Sequence, residues 1–207
     1  MVATAAAAAL AGCRGAPQTA TVPPQQAQPL SGYLAQRIVI TPVSRVRTDT
    51  MGWVQRLGGA RPAGLKLDSA LLLALEGRAI GGEWFKPADV TRSYERNRTY
   101  AVDPYNLATD PLRPATFTAA SRYGEPLATQ LRTMVALHEG ARFVLLPVEL
   151  RFDRDVAGTR AVLRTVIVDA RSSEARWVGE LRSDIAPDPA GALANVAQRF
   201  ADLFIAP

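Results

Sequence analysis

Arg142-Phe143-Val144-Leu145-Leu146-Pro147-Val148-Glu149-Leu150-Arg151-Phe152 reads as a β-strand whose centre, Phe143 to Leu146, is apolar on both faces. A half-exposed strand alternates apolar and polar residues, whereas a strand without alternation is covered on both sides. This stretch therefore predicts a central strand with a layer packed on each face. Two more strands follow, Thr159 to Asp169 and Ala175 to Ser183, joined across Ala170-Arg171-Ser172-Ser173 as a hairpin. In the first arm Val162, Val166 and Val168 share a face with Arg164. In the second, Arg176, Val178, Glu180 and Arg182 alternate with Trp177, Gly179 and Leu181, so this part of the sheet is expected to be half exposed. From about Pro189 to Phe204, Leu193, Val196, Ala197, Phe200, Leu203 and Phe204 form the apolar stripe of an amphipathic helix.

Upstream, Leu34 to Val43 is read as a first strand, with Ile38-Val39-Ile40 at its heart and Pro42 near its end. A loop rich in Gly and Arg runs to Lys66, and Asp68 stands as the N-cap of a helix through Ile80 that Gly81-Gly82 breaks. Glu83-Trp84-Phe85 reads as a short strand, and Pro87 opens a helix to about Asn97. Tyr100 to Tyr123 is a long Pro-, Asp- and Thr-rich loop, and such loops in compact domains are often functional. A helix follows from Pro126 to Gly140, with Leu127, Leu131, Met134, Val135 and His138 on one face. The order β-α-β-α-α-β-β-β-α predicts one α/β domain with a mixed sheet of about five strands packed by helices.

The only cysteine, Cys13, ends the run Leu10-Ala11-Gly12-Cys13 behind a short Ala-rich segment. That pattern looks like a bacterial lipobox, in which the chain is cut before the cysteine and the cysteine receives acyl chains. Residues 1–12 are then a lipoprotein signal peptide, although Met1-Val2-Ala3-Thr4 lacks the usual basic residues. The bland alternative is an Ala-rich tail with an incidental cysteine. Residues 13–32 carry Pro17, Pro23, Pro24, Pro29 and four Gln, and read as a disordered tether spanning about 50 Å when stretched. Residues 33–207 form the periplasmic domain on this reading. Position 14 is Arg rather than the Asp of inner-membrane retention in enteric bacteria, so by analogy the outer membrane, facing the periplasm, is favoured.

Of the 24 Lys and Arg, all but Lys66 and Lys86 are arginine, and the net charge is +5. The arginines are scattered among acids, without stacking aromatics or a nucleic-acid motif, so no nucleic-acid partner is expected. One cysteine excludes an intramolecular disulfide.

Three stretches carry a resemblance: Phe143-Val144-Leu145-Leu146-Pro147, the turn from Val168-Asp169-Ala170 to Arg176-Trp177-Val178-Gly179, and the C-terminal amphipathic helix. Together with the element order, they resemble the small periplasmic α/β domain of curli-secretion lipoproteins, the TolB N-terminal domain and the lipoprotein activators of penicillin-binding proteins. The resemblance implies a lipoprotein that binds other proteins or builds an envelope assembly, with no shared catalytic residues. Curli-pore members add membrane-spanning hairpins, and no segment of that length and alternation is read here.

No cofactor loop or metal-ligand spacing occurs. His138 is the only histidine; it lies on the apolar face of its helix and is expected to be buried and hydrogen-bonded. Asp103, Asp110, Asp153 and Asp155 are loop acids, for which turn and cap roles are expected. An envelope hydrolase or ligand-binding enzyme using such carboxylates with His138 is one alternative, and a ring-forming secretion component is another. The candidate partner surface is Arg92, Tyr94, Arg96, Arg98, Tyr100, Tyr105, Arg113, Arg122 and Tyr123, because Tyr and Arg are favoured at protein interfaces. The competing reading is that they pin the long loop to the domain. The leading expectation is a non-catalytic, lipid-anchored domain that recruits or scaffolds an envelope protein, with a homo-oligomer as a further expectation.

Overall fold

The computed structural model describes residues 30–205. Its elements are β1 (Ile38–Ile40), α1 (Trp53–Arg56), α2 (Ala60–Glu76), α3 (Pro87–Arg96), α4 (Leu127–Ala136), β2 (Phe143–Asp155), β3 (Gly158–Asp169), β4 (Glu174–Arg182) and α5 (Pro189–Ile205). The sheet order is β1-β2-β3-β4, with β1 parallel to β2 and the remaining pairs antiparallel. The mixed α/β architecture and the central position of β2 agree with the sequence.

Each face of the sheet has its own core. Ile38, Ile40, Leu145, Leu150, Phe152, Leu163, Ile167 and Trp177 point to one side, where α1, α2 and α5 cover them. Val39, Val144, Leu146, Val148, Val166 and Val168 point to the other, beneath α3, α4 and the long loop. A bulge between Pro147 and Glu149 exchanges the faces along β2: odd-numbered Leu145 and even-numbered Leu150 and Phe152 lie on the same side. In α5 the apolar stripe is buried at Leu193, Val196, Ala197, Phe200 and Phe204. Phe204 meets Trp84 edge-on, with ring centroids 5.2 Å apart.

β1 is confined to Ile38–Ile40 rather than Leu34 to Val43, with Leu34 ending a 3₁₀ turn, and α1 stands within the stretch expected as a loop. Two further elements differ more. The sheet has four strands, not five, because Glu83-Trp84-Phe85 contributes a single bridge, Phe85 to Val39. Trp84 turns into the core there and donates its indole N–H to the Gln36 carbonyl at 2.8 Å, and Pro87 starts α3 two residues after Phe85. The observed order is therefore β-α-α-α-α-β-β-β-α. Secondly, α2 begins at Ala60, not after Asp68, and ends at Glu76. Gly58, Gly59, Pro62 and Gly64 read as loop punctuation, but Pro62 lies in the first turn, where a missing N–H costs nothing. At Gly64 a Cβ would stand 2.7 Å from Val43 Cγ1, so the absence of a side chain lets α2 approach the sheet.

The small residue after the tryptophan also has a packing reason. The Trp177 indole lies over Gly179, where a Cβ would be 2.2 Å from Trp177 Cη2. Asp169, before the turn, is buried and accepts from the Arg142 side chain (Nε, 2.8 Å), Arg176 Nη2 (3.3 Å) and the Arg171 N–H (3.0 Å). Burial pushes its carboxyl up, but these donors overcome it and hold it down at about 2.

Candidate functional site

α3 and α4 lie side by side on the loop-covered face, and a cleft runs between them. Pro87 and Asp89 start α3: Asp89 accepts the Lys86 N–H at 3.0 Å. Asn97 ends it, donating its side-chain amide to the Ser93 carbonyl at 2.7 Å and accepting from the Tyr100 hydroxyl. Val90, Ser93 and Tyr94 of α3, Ala101 and Val102 of the loop, and Met134 of α4 line the cleft. It holds about 260 Å³ of space, its open mouth included. That is below the range of sites that enclose a drug-sized ligand.

His138 forms the polar floor and is 4% exposed. Nδ1 donates to the Met134 carbonyl at 2.7 Å, leaving Nε2 to accept from the Ser93 hydroxyl at 3.1 Å. Its ring packs on Phe85, with centroids 4.7 Å apart. Both ring nitrogens are thus used in tying α4 to α3. The four acids stand apart from it: Asp103 caps a 3₁₀ turn at Pro104–Asn106 and Asp110 pairs with Arg113, whereas Asp153 and Asp155 lie not in a loop but at the end of β2, where Asp153 pairs with Arg151 at 3.2 Å. Asp155 holds the β2–β3 turn by accepting the Ala157 and Gly158 N–H groups. Among the described residues no three His, Cys, Asp or Glu side chains gather where a metal ion could bind.

The Tyr and Arg residues of the candidate partner surface divide into three groups. Arg92 and Arg96 stand one turn apart on α3, and Arg98 lies over the Tyr94 ring at 5.8 Å. Tyr100 is 60% exposed and Val102 38%, both beside the cleft. Arg92 pairs with Asp89 at 3.4 Å, whereas Arg96 and Arg98 have no carboxylate partner among the described residues. Tyr105 belongs to the other flank, under the Arg61 guanidinium at 4.6 Å. Its phenol is pushed up by burial first and then by the Asp68 carboxylate.

Arg113, Arg122 and Tyr123 serve the fold. Arg122 donates to the Ser172 carbonyl at 3.2 Å. Tyr123 is buried, reaches the Asp169 carbonyl at 3.4 Å, and burial pushes its phenol up to about 12.

Three polar residues on which the fold depends were not singled out for these roles by the sequence. Arg164 is buried and donates to the carbonyls of Leu112 (2.8 Å), Pro114 (2.9 Å) and Phe117 (2.8 Å), fastening the long loop to β3. Its alternation with Val162 and Val166 was the available signal. Asp68 accepts the Val43 N–H at 2.9 Å with Oδ1, while Oδ2 is buried and unpartnered among the described residues. Burial raises its carboxyl to about 7. Asp169 anchors the β3–β4 turn, with both Arg142 and Arg176 on its carboxylate.

Cys13 lies outside the described residues. Among the described residues no helix is long and apolar enough to cross a membrane. Comparison of the chain with protein-family models, curated proteins and solved structures finds no match.

Proposed function

We propose that the chain is a non-catalytic, lipid-anchored binding domain of the bacterial envelope, held at the outer membrane facing the periplasm. It recruits a protein partner through α3 and the segment to Val102. The observation that carries this reading is the surface beside the α3–α4 cleft. Arg96 and Arg98 lack carboxylate partners among the described residues, and Tyr100 and Val102 expose apolar surface next to them. Aromatic and Arg side chains around a shallow apolar depression are the usual anchors of a protein interface. The inward bonds of His138 and the small cleft favour recognition of a side chain over turnover of a substrate. The lipobox at Cys13 supports the anchor, since several acyl chains give stable attachment.

The test is photo-crosslinking in living cells. A crosslinking residue in place of Arg98 or Tyr100 should give a defined protein adduct, and the same residue in place of Arg154 on the far hairpin should not. Identical behaviour at all three positions overturns the surface. Cys13→Ser should move the protein out of the membrane fraction, and retention there overturns the anchor.

A further inference from the structure

β4 has an open edge for only part of its length. The Ser183 N–H donates to the Ala161 carbonyl at 2.8 Å, so Ser183 faces β3. Alternation then turns Leu181, Gly179 and Trp177 toward β3 as well, and turns the backbone groups of Val178, Glu180 and Arg182 away from the sheet. A register shift opposite Ile167 and Val168 reverses this, so Ala175 faces outward. There the long loop already occupies the edge. Ala120 N–H donates to the Ala175 carbonyl and Ala175 N–H to the Ser121 carbonyl, both at 2.8 Å, and Tyr123 N–H donates to the Ser173 carbonyl at 3.1 Å. Beyond it, the outward groups from Val178 to Arg182 have no partner among the described residues.

We propose that this edge pairs with the same edge of a second copy of the chain, antiparallel about a two-fold axis centred on Leu181. In that register Glu180 of each copy stands opposite Arg182 of the other, and each pair exchanges both backbone hydrogen bonds. The charges complement each other twice, once on each side of the axis. Glu180 is prepared for such a contact. Its Oε1 accepts from Arg151 Nη2 at 2.9 Å and Arg182 Nη2 at 3.1 Å, and Oε2 has no partner among the described residues. Charged side chains on an edge usually deter pairing, because a neighbour in arbitrary register meets like charge. Here one register turns that deterrent into selection for a second copy. The two-fold closes at a dimer with an eight-stranded sheet, unlike a ring.

The test uses the full chain in mild detergent and sedimentation velocity. The wild type should sediment as a dimer, and Glu180→Arg and Arg182→Glu should each sediment as monomers. An equimolar mixture of the two variants should restore the dimer. One copy then carries two arginines at these positions and the other two glutamates, so both pairs across the axis join opposite charges. Glu180→Pro removes an outward N–H of the proposed pair and no bond to β3, so it should give a monomer with an unchanged circular dichroism spectrum. A monomeric wild type, dimeric single variants, a mixture that stays monomeric or a dimeric Glu180→Pro overturns the proposal.

Discussion

The two faces of one sheet are closed by different means. On one side α2 and α5, each of 17 residues, lay continuous apolar stripes on Leu145, Leu163 and Ile167. On the other, two 10-residue helices and the loop between them cover Val144, Val166 and Val168. The short helices are tied together by His138 and Ser93, and the loop is fastened by Arg164. Burial is equally complete beneath both covers: Leu145 and Val144 are each 0% exposed. The difference is in what holds each cover down. Dispersion and the hydrophobic effect hold the first, and directed hydrogen bonds to backbone carbonyls hold much of the second. The candidate binding surface lies on the second.

The largest effect is expected from the helical cover. Phe200→Ala removes a fully buried ring from α5, and such truncations cost about 3–5 kcal/mol. Denaturant unfolding should show one transition, weakened by that amount, with both faces lost together. Separate transitions for the two covers would break the picture of a single sheet shared by two cores.

Asp68 sharpens the comparison, because it is a polar residue under the helical cover. Its carboxyl is raised by burial from 3.8 to about 7, so the folded state holds the proton more tightly than the unfolded chain. The stabilising contribution is fully present below pH 3.8 and is lost as pH rises through 7; the shift corresponds to about 4 kcal/mol. Asp169 behaves in the opposite sense: its contribution is present above pH 3.8 and is lost as pH falls through about 2. The contributions of Glu125 and Glu180, whose carboxyls are also held below their ordinary 4.5, are complete by about pH 5, so the slope between about pH 5 and 7 belongs to Asp68. Asp68→Asn should flatten stability measured by urea unfolding across about pH 5–7 and make the variant the more stable protein at about pH 8. An unchanged slope would mean that Asp68 reaches water when it ionises.

What could be read from the chain follows the same division. Leu193, Val196, Phe200 and Phe204 repeat at helical spacing, and the hairpin from Thr159 to Ser183 alternates, so periodicity placed α5, β3 and β4. Periodicity is silent about α2 before Asp68, because Gly64 is there to admit Val43 and not to end a helix. It is equally silent about the loop, whose conformation depends on one arginine about 50 residues away in sequence. Tyr123 illustrates the cost for the candidate surface. Composition grouped it with Tyr94 and Tyr100, whereas a hydrogen bond to Asp169 and a place in the core separate it from them.

Arg164 offers the most selective break between the two covers. Its guanidinium sits over β3 with three loop carbonyls and no carboxylate in contact among the described residues, and burial lowers its pKa. Arg164→Met keeps most of the length of the stem and removes every donor. The freed carbonyls can turn to water only if the loop lifts, so the cost should be about 2 kcal/mol, well below that of unpaired acceptors locked in a core. Hydrogen exchange should quicken at Leu112 and Phe117, while α5 should lose protection only by the smaller global amount. Uniform loss across α5 and the loop would show that the polar fastening is part of the common core. Local loss would show that the loop face can open while the helical face stays shut. A partner engaging Tyr100 and Val102 would then meet a cover whose position is set by Arg164, on the opposite side of the sheet from the long helices.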